Sequence, residues 1–414
     1  MTEHPESIVV VGGGLAAAKG VEALRDSGFD GSLTVIAAED ELPYERPPLS
    51  KGYLTGAAPF ADAIVHSAEW YSEHDVDLRL GVRATGLDIS AHEVTLDDDT
   101  TLSYSKLLLA MGASARLLDV PGSVAENVLY LRAHKDSDAI RDSFGKDRHL
   151  VIVGGGWIGL EVAAAARQAD TEVTVVARTE APLQGALGHD MGKVFGDLHR
   201  EHDVDLRMNL EVAEIISDSG RVSGVVLSDG SPVPATAVIG GIGALPNLQL
   251  VLGSGLEVGD GVWVDASLRT SDPDVYAVGD VANHDHPLLG RIRVEHWANA
   301  LNQPATAVAA MLGEKVTYDE LPYFFSDQYD LGMEYVGYAP PGSYDQVVVR
   351  GNLTRRQFVA FWLDTEHRIR AAMNVNVWDV VDEVKPLILE GRQVDPERLA
   401  DPAIPYDKVG AAKA

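Results

Sequence analysis

The sequence predicts an α/β protein with two Rossmann-like dinucleotide-binding domains in series and a smaller C-terminal α+β domain. Three observations lead there. An apolar, β-branched run at Ile8–Val11 passes straight into Gly12-Gly13-Gly14-Leu15-Ala16-Ala17 and then into a helix-period segment. The same strand-and-glycine pattern returns as Leu150–Val153 followed by Gly154-Gly155-Gly156-Trp157-Ile158-Gly159. From Tyr323 onward the pattern changes to Tyr-, Phe- and Val-rich runs that read as antiparallel strands.

In the first copy, Gly12 permits the tight turn and Gly14 lets backbone approach a pyrophosphate. The small Ala17 lets helix and strand pack closely. The phosphates are expected on the N–H groups at the positive helix end, at Leu15 and Ala16. Glu39, past the second strand, is placed to accept both hydroxyls of an adenosine ribose. It also reads as a solvated loop acid beside Asp40 and Glu41. Ala110 and Met111-Gly112-Ala113 close the first copy. Between lies Leu42-Pro43-Tyr44-Glu45-Arg46-Pro47-Pro48-Leu49-Ser50-Lys51-Gly52-Tyr53-Leu54, where adjacent prolines stiffen a loop bearing Arg46 and Lys51. Such a loop suits a flat anionic ligand.

The second copy repeats more than the glycines. Glu73-His74-Asp75-Val76-Asp77-Leu78-Arg79 recurs as Glu201-His202-Asp203-Val204-Asp205-Leu206-Arg207, and Ile242-Gly243-Ala244 closes this copy as Met111-Gly112-Ala113 closes the first. Gly154, Gly156, Ile158, Gly159 and Gly243 are the expected contacts to its ligand. After the second strand Val175-Val176 the chain reads Ala177-Arg178, with no carboxylate to repel a 2′-phosphate. Arg178 could bind that phosphate or stand as a solvated surface cation, and Gly159 is the residue more typical of NAD sites.

Composition narrows the function. With 414 residues, several domains are expected. There is no cysteine, so neither a redox disulfide nor an oxidisable thiol is available. A net charge of −30 repels nucleic acid and anionic membrane surfaces. No apolar run is long and uncharged enough to span a bilayer, and the polar Met1–Ser7 segment reads as no signal peptide. The expected address is cytoplasmic. His284 and His286 stand two apart without cysteine, and no metal site is expected.

Together these residues resemble the FAD-dependent ferredoxin reductases of bacterial oxygenase systems, with apoptosis-inducing factor a more distant relative. The matching motifs are the Gly12 turn, Pro43–Lys51, Gly154–Glu161, Val275–Ala282, Val294–Ala300 and Phe325-Ser326-Asp327-Gln328-Tyr329. Three residues depart from the family pattern: Met111 stands where Thr is usual, Leu245 where Arg is common and Phe325 where Trp is frequent. The resemblance implies an FAD-binding domain over 1–118 and 245–321, an NAD(P)-binding domain over 119–244 and a C-terminal interface domain over 322–414.

It also implies roles. Asp280 matches the ribityl-binding aspartate, although a helix N-cap would use the same residue. Lys51 is expected beside the flavin N5, where a cation favours the reduced anion, and Glu161 is expected as its partner. Alternatively Glu161 is a helix-dipole acid only. The helix from Trp297 is expected to aim its N-terminus at the flavin, with Trp297 itself either a flavin contact or core. The implied activity is electron transfer from NAD(P)H through FAD to an iron–sulfur ferredoxin, by a monomer or weak dimer. A soluble NAD(P)H oxidase and a redox-gated flavoprotein of the apoptosis-inducing-factor type are the competing readings. Arg350, Arg355, Arg356, Arg368 and Arg370 read either as a local basic rim for the ferredoxin, near Phe325, or as an ordinary solvated hairpin.

Overall fold

The computed structural model describes residues 5–410. They form two compact units. The first takes the chain up to Arg46, Phe60–Ser114 and Leu245–Pro322. The second takes Pro47–Pro59, Ala115–Ala244 and the chain from Tyr323 on.

The first unit is built on a five-stranded parallel sheet, ordered Val275–Ala277, Lys106–Leu109, Ser7–Val11, Ser32–Ala37 and Val76–Leu80. Its inner strands are near-continuous runs of Val, Ile and Leu because helices or loops cover both faces. Val10, Leu107, Leu108 and Leu109 are fully buried there, with Val21 and Leu24 from the helix Leu15–Asp26. That helix lies against a second one, Trp297–Met311. Gly20 makes room for Leu108, since a Cβ on it would lie 2.6 Å from that side chain.

The second unit repeats the plan. Its parallel sheet runs Asp205–Met208, Glu172–Ala177, His149–Val153, Ala237–Gly240 and Val128–Tyr130. In both sheets the strand before the glycine turn is central. Each copy also carries a three-stranded antiparallel sheet that the sequence reading did not resolve. In the first unit it is Ala84–Asp88, Glu93–Leu96 and Thr101–Ser103; in the second, Val212–Asp218, Arg221–Leu227 and Pro232–Pro234. In the first copy these strands are short, and in both copies bulges shift the register, so the period-2 signal is broken.

From Tyr323 the second unit adds a five-stranded antiparallel sheet, ordered Tyr323–Gln328, Leu331–Gly337, Ile369–Val375, Gln357–Leu363 and Gln346–Asn352. The helix Val381–Leu389 packs on it, as the α+β reading expects. On its other side Tyr335, Phe358 and Trp362 share one core with Leu187, Phe195 and Leu198 of the Rossmann-like part. Trp362 is fully buried and donates its indole N–H to the Leu187 carbonyl at 3.2 Å. Among the described residues no helix is long and apolar enough to cross a membrane.

Three of the five arginines expected at the rim have partners for their side chains. Arg350 donates to the carbonyls of Leu399, Pro402 and Ile404 and lies over the Tyr406 ring. Arg356 is paired with Glu201 and Arg368 with Glu366. Glu201 is brought to Arg356 by the fold, whereas Glu366 stands two residues from Arg368, and the Arg350 charge is hydrogen-bonded without being neutralised.

The strand Ala282–His286 puts His284 and His286 on one buried face, each 2% exposed. Burial, then the adjacent His286, pushes the His284 imidazole from 6.5 down to about 4, against a pull from Asp285. Between those values the unfolded chain binds a proton that the folded chain excludes. This contribution to stability is therefore complete above the unfolded value and is lost as pH falls through the window. His284→Gln should make the acid limb shallower by about 1.4 kcal/mol per pH unit in that window. Urea unfolding as a function of pH measures it; an unchanged limb would place the proton uptake elsewhere.

Candidate functional site

Both glycine turns owe their shape to a backbone contact that a side chain would block. Gly12 has φ +139°, and a Cβ on it would lie 2.2 Å from the Ala110 carbonyl oxygen. Gly154 has φ +114°, and a Cβ there would meet the Gly241 carbonyl oxygen at the same 2.2 Å. The opposite side of each turn is open. A Cβ on Gly14 would meet nothing within 4 Å, and one on Gly156 only Gly241 O at 3.8 Å.

Gly14 and Gly156 are also the N-cap residues of the helices Leu15–Asp26 and Trp157–Gln168. Neither helix has a side-chain cap or an acid in its first turn. First-turn amides, a positive helix end and an open approach fit a pyrophosphate. The residues therefore suit a dinucleotide at each turn. Leu15 and Ala16 are buried behind the first; Ile158 is 43% exposed at the second and Gly159 is buried. A Cβ on Gly159 would lie 2.6 Å from the Gly154 carbonyl oxygen, so helix and turn are closer here than an alanine allows.

In the first unit Glu39 is held rather than solvated. It accepts from the Tyr44 hydroxyl at 2.6 Å and from Arg46 Nη2 at 2.7 Å. Arg46 also lies over the Tyr44 ring, 5.2 Å from its centre. Burial works against the Arg46 charge, yet Tyr44, Glu39 and Asp280 together hold its pKa above the ordinary arginine value. Asp280 sits in the one-turn 3-10 helix Gly279–Val281, whose Gly279 N–H donates to Gln303 Oε1 at 2.7 Å. Trp297 begins the helix Trp297–Met311, which has no acid in its first turn, and is half-buried. Its indole N–H donates to Glu45 at 3.1 Å. Tyr44 and Glu45 lie inside the Pro43–Lys51 motif, but nothing local marks them as partners of Glu39 and Trp297.

In the second unit Lys51 and Glu161 meet. Nζ lies 2.7 Å from Glu161 Oε1, with side chains 17% and 3% exposed. Pro47–Ser50 form a 3-10 turn that presents Lys51, and Glu161 lies on the helix that follows the glycine turn. Glu161 further accepts from Ser50 Oγ at 2.5 Å and Ser326 Oγ at 2.6 Å. The Lys51 ammonium also lies 5.4 Å from the Phe325 ring centre. A carboxylate this buried is stable only with its donors in place. The helix-dipole reading of Glu161 does not describe that environment. Ser50 and Ser326 were missed as partners; adjacency to Lys51 was the only signal for the first.

Arg178 is exposed and paired with Glu211, Nε to Oε1 3.1 Å. Gly243 has φ +103°, and its carbonyl accepts from the Arg116 N–H. Among the described residues no group of three or more His, Asp or Glu side chains is placed to hold a metal.

Comparison with known proteins agrees with this geometry. Residues 6–304 match the family described as pyridine nucleotide-disulphide oxidoreductase, and residues 323–409 match the reductase C-terminal family. The ferredoxin–NAD(+) reductase component of the anthranilate 1,2-dioxygenase system of Burkholderia cepacia is 40% identical over 96% of this chain and 98% of its own. Putidaredoxin reductase of Pseudomonas putida is 36% identical over 99% and 98%. The structure of the covalent putidaredoxin reductase–putidaredoxin complex superposes with a TM-score of 0.93 at 33% identity, covering 98% of each chain. With its duplicated dinucleotide-binding fold and appended C-terminal sheet, the chain belongs to the pyridine nucleotide-disulphide oxidoreductase family.

Proposed function

We propose that the chain is an NAD(P)H-dependent ferredoxin reductase that carries FAD and supplies electrons to an oxygenase system. The carrying observation is two glycine cradles of one construction in a chain without cysteine. Two dinucleotides fit, and no thiol of the chain itself is there to accept electrons, so they leave to an outside carrier. The names of the relatives, which are reductase components of dioxygenase systems, support the same reading.

When bound, FAD takes a hydride from a nicotinamide and gives up electrons singly, which suits an iron–sulfur acceptor. The residues of the chain bind and orient. Gly12, Gly14, Leu15, Ala16 and Ala110 form the FAD pyrophosphate turn. Glu39, oriented by Tyr44 and Arg46, takes the ribose, and Asp280 and the Trp297 helix complete the FAD set. Gly154, Gly156, Ile158, Gly159, Arg178 and Gly243 form the NAD(P) site. The Lys51 ammonium, held by Glu161, supplies the positive charge that favours reduced, anionic flavin. In this reading the protein works in the cytoplasm as a monomer or weak dimer. Its net charge of −30 disfavours nucleic acid and anionic membranes.

Purified protein should be yellow with one FAD per chain, be bleached by NAD(P)H, and reduce a ferredoxin faster than it reduces oxygen. Protein that stays colourless with added FAD would sink the reading, while oxygen consumption at the ferredoxin rate would favour an oxidase.

Lys51→Met should slow flavin reduction and lower the flavin potential. Loss of one partly screened charge amounts to about 1–3 kcal/mol, or ten- to hundredfold in rate. Stopped-flow bleaching reads it, and the Lys51→Met/Glu161→Gln pair separates this from the cost of stranding a buried carboxylate.

NADPH should be used at a rate comparable to NADH. Arg178→Ala should raise the KM for NADPH about tenfold, the size of one charge-assisted contact, and spare NADH. Glu211→Ala, which releases Arg178, should lower the NADPH KM up to about fivefold. An NADPH KM indifferent to both changes would leave Arg178 outside the site.

A further inference from the structure

Ser326 and Gln328 are alternate residues on the edge strand Tyr323–Gln328, so both point to the same face, and each is 1% exposed. Ser326 Oγ reaches Glu161 at 2.6 Å, and Gln328 Nε2 reaches Ser326 Oγ at 3.2 Å. Behind them His199, fully buried on the helix His189–Glu201, places Nε2 2.9 Å from Gln328 Oε1. Its Nδ1 lies 3.4 Å from the Tyr329 hydroxyl, and the Tyr329 ring is stacked on His202.

The direction of every bond in this chain follows from its end. A carboxylate has no proton to give, so the single hydroxyl proton of Ser326 goes to Glu161. Ser326 Oγ must then accept, which turns the Gln328 amide nitrogen toward it and the amide oxygen toward His199. His199 must in turn donate from Nε2, leaving Nδ1 to accept from Tyr329. Burial supports this neutral form, pushing the His199 imidazole down to about 4. An amide in the middle does not pass protons on readily, so the chain orients rather than conducts.

We propose that Ser326, Gln328 and His199 are positioning residues: their one-way hydrogen-bond chain keeps the Glu161 carboxylate an acceptor aimed at Lys51, and so holds the Lys51 ammonium where the flavin needs it. This rests on the ferredoxin-reductase reading above. No local pattern joins these residues, since His199 and Gln328 are brought together only by the shared core of Phe195, Leu198, Met333 and Trp362.

The test compares Ser326→Ala with Ser326→Thr, and Gln328→Met with the unaltered protein, each checked for its unfolding midpoint. Ser326→Ala should slow hydride uptake about tenfold, the worth of one hydrogen bond to a charged group, and should lower the flavin potential. Ser326→Thr keeps the hydroxyl and should retain rate and potential, although its larger side chain costs more stability. Gln328→Met should move rate and potential in the same direction as Ser326→Ala. A structural role alone would penalise the larger threonine more than the alanine and leave the potential unmoved. Independently of flavin, side-chain ¹⁵N shifts of His199 should show the neutral Nε2–H tautomer in the unaltered protein. The Nδ1–H tautomer, or a rate and potential indifferent to Ser326→Ala and Gln328→Met, would overturn the proposal. FAD uptake keeps the two readings apart: failure of the unaltered protein to take up FAD would defeat the reductase reading, while the histidine tautomer would still decide the hydrogen-bond chain.

Discussion

Backbone touching backbone at two places sets the terms for the rest of this molecule. Gly12 lies under the Ala110 carbonyl and Gly154 under that of Gly241, each so close that a Cβ would stand 2.2 Å from an oxygen. The contact ties the turn after the central strand to the end of the neighbouring strand. It also aims the first turn of the following helix, with its unpaired amides, at the open side. Strand order, helix direction and ligand position follow from it in both units. Only glycine satisfies it, because the φ values of +139° and +114° are strained for any L side chain as well as crowded.

A second constraint is electrostatic. Burying Glu161 at 3% side-chain exposure would be expensive if it stood alone. Ser50, Ser326 and Lys51 surround it, and they come from the proline-rich turn and the C-terminal sheet. The carboxylate therefore knits together segments far apart in sequence within the second unit. It also turns a flexible lysine into a fixed charge. The same logic explains why the proline-rich loop is stiff: a mobile loop could not keep Lys51 Nζ at 2.7 Å from its partner.

Surface charge behaves differently. Arg350, Arg356 and Arg368 are spent on carbonyl oxygens and nearby acids, and Arg293 is shared between Asp260 and Glu295. The chain carries 63 acidic and 33 basic residues, and several of its arginines are paired with a carboxylate.

The sequence by itself determined the two Rossmann-like sheets, their glycine turns, the helix beginning at Trp297 and the antiparallel character of the C-terminal part. Each rests on short-range physics: burial on both faces of a parallel strand, positive φ at glycine, or a period of two or 3.6 residues. It also singled out Lys51 and Glu161 by resemblance and brought Arg46 and Glu39 into view. Tertiary structure alone decided the partners. Tyr44 on Glu39, Glu45 on Trp297, Ser326 on Glu161, His199 on Gln328 and Glu211 on Arg178 are pairings between elements. The small antiparallel sheets and the fate of the arginines were likewise settled by packing. A periodicity reports which face of an element is buried, but not which residue of another element will meet it; that depends on how strands are ordered and cores are shared.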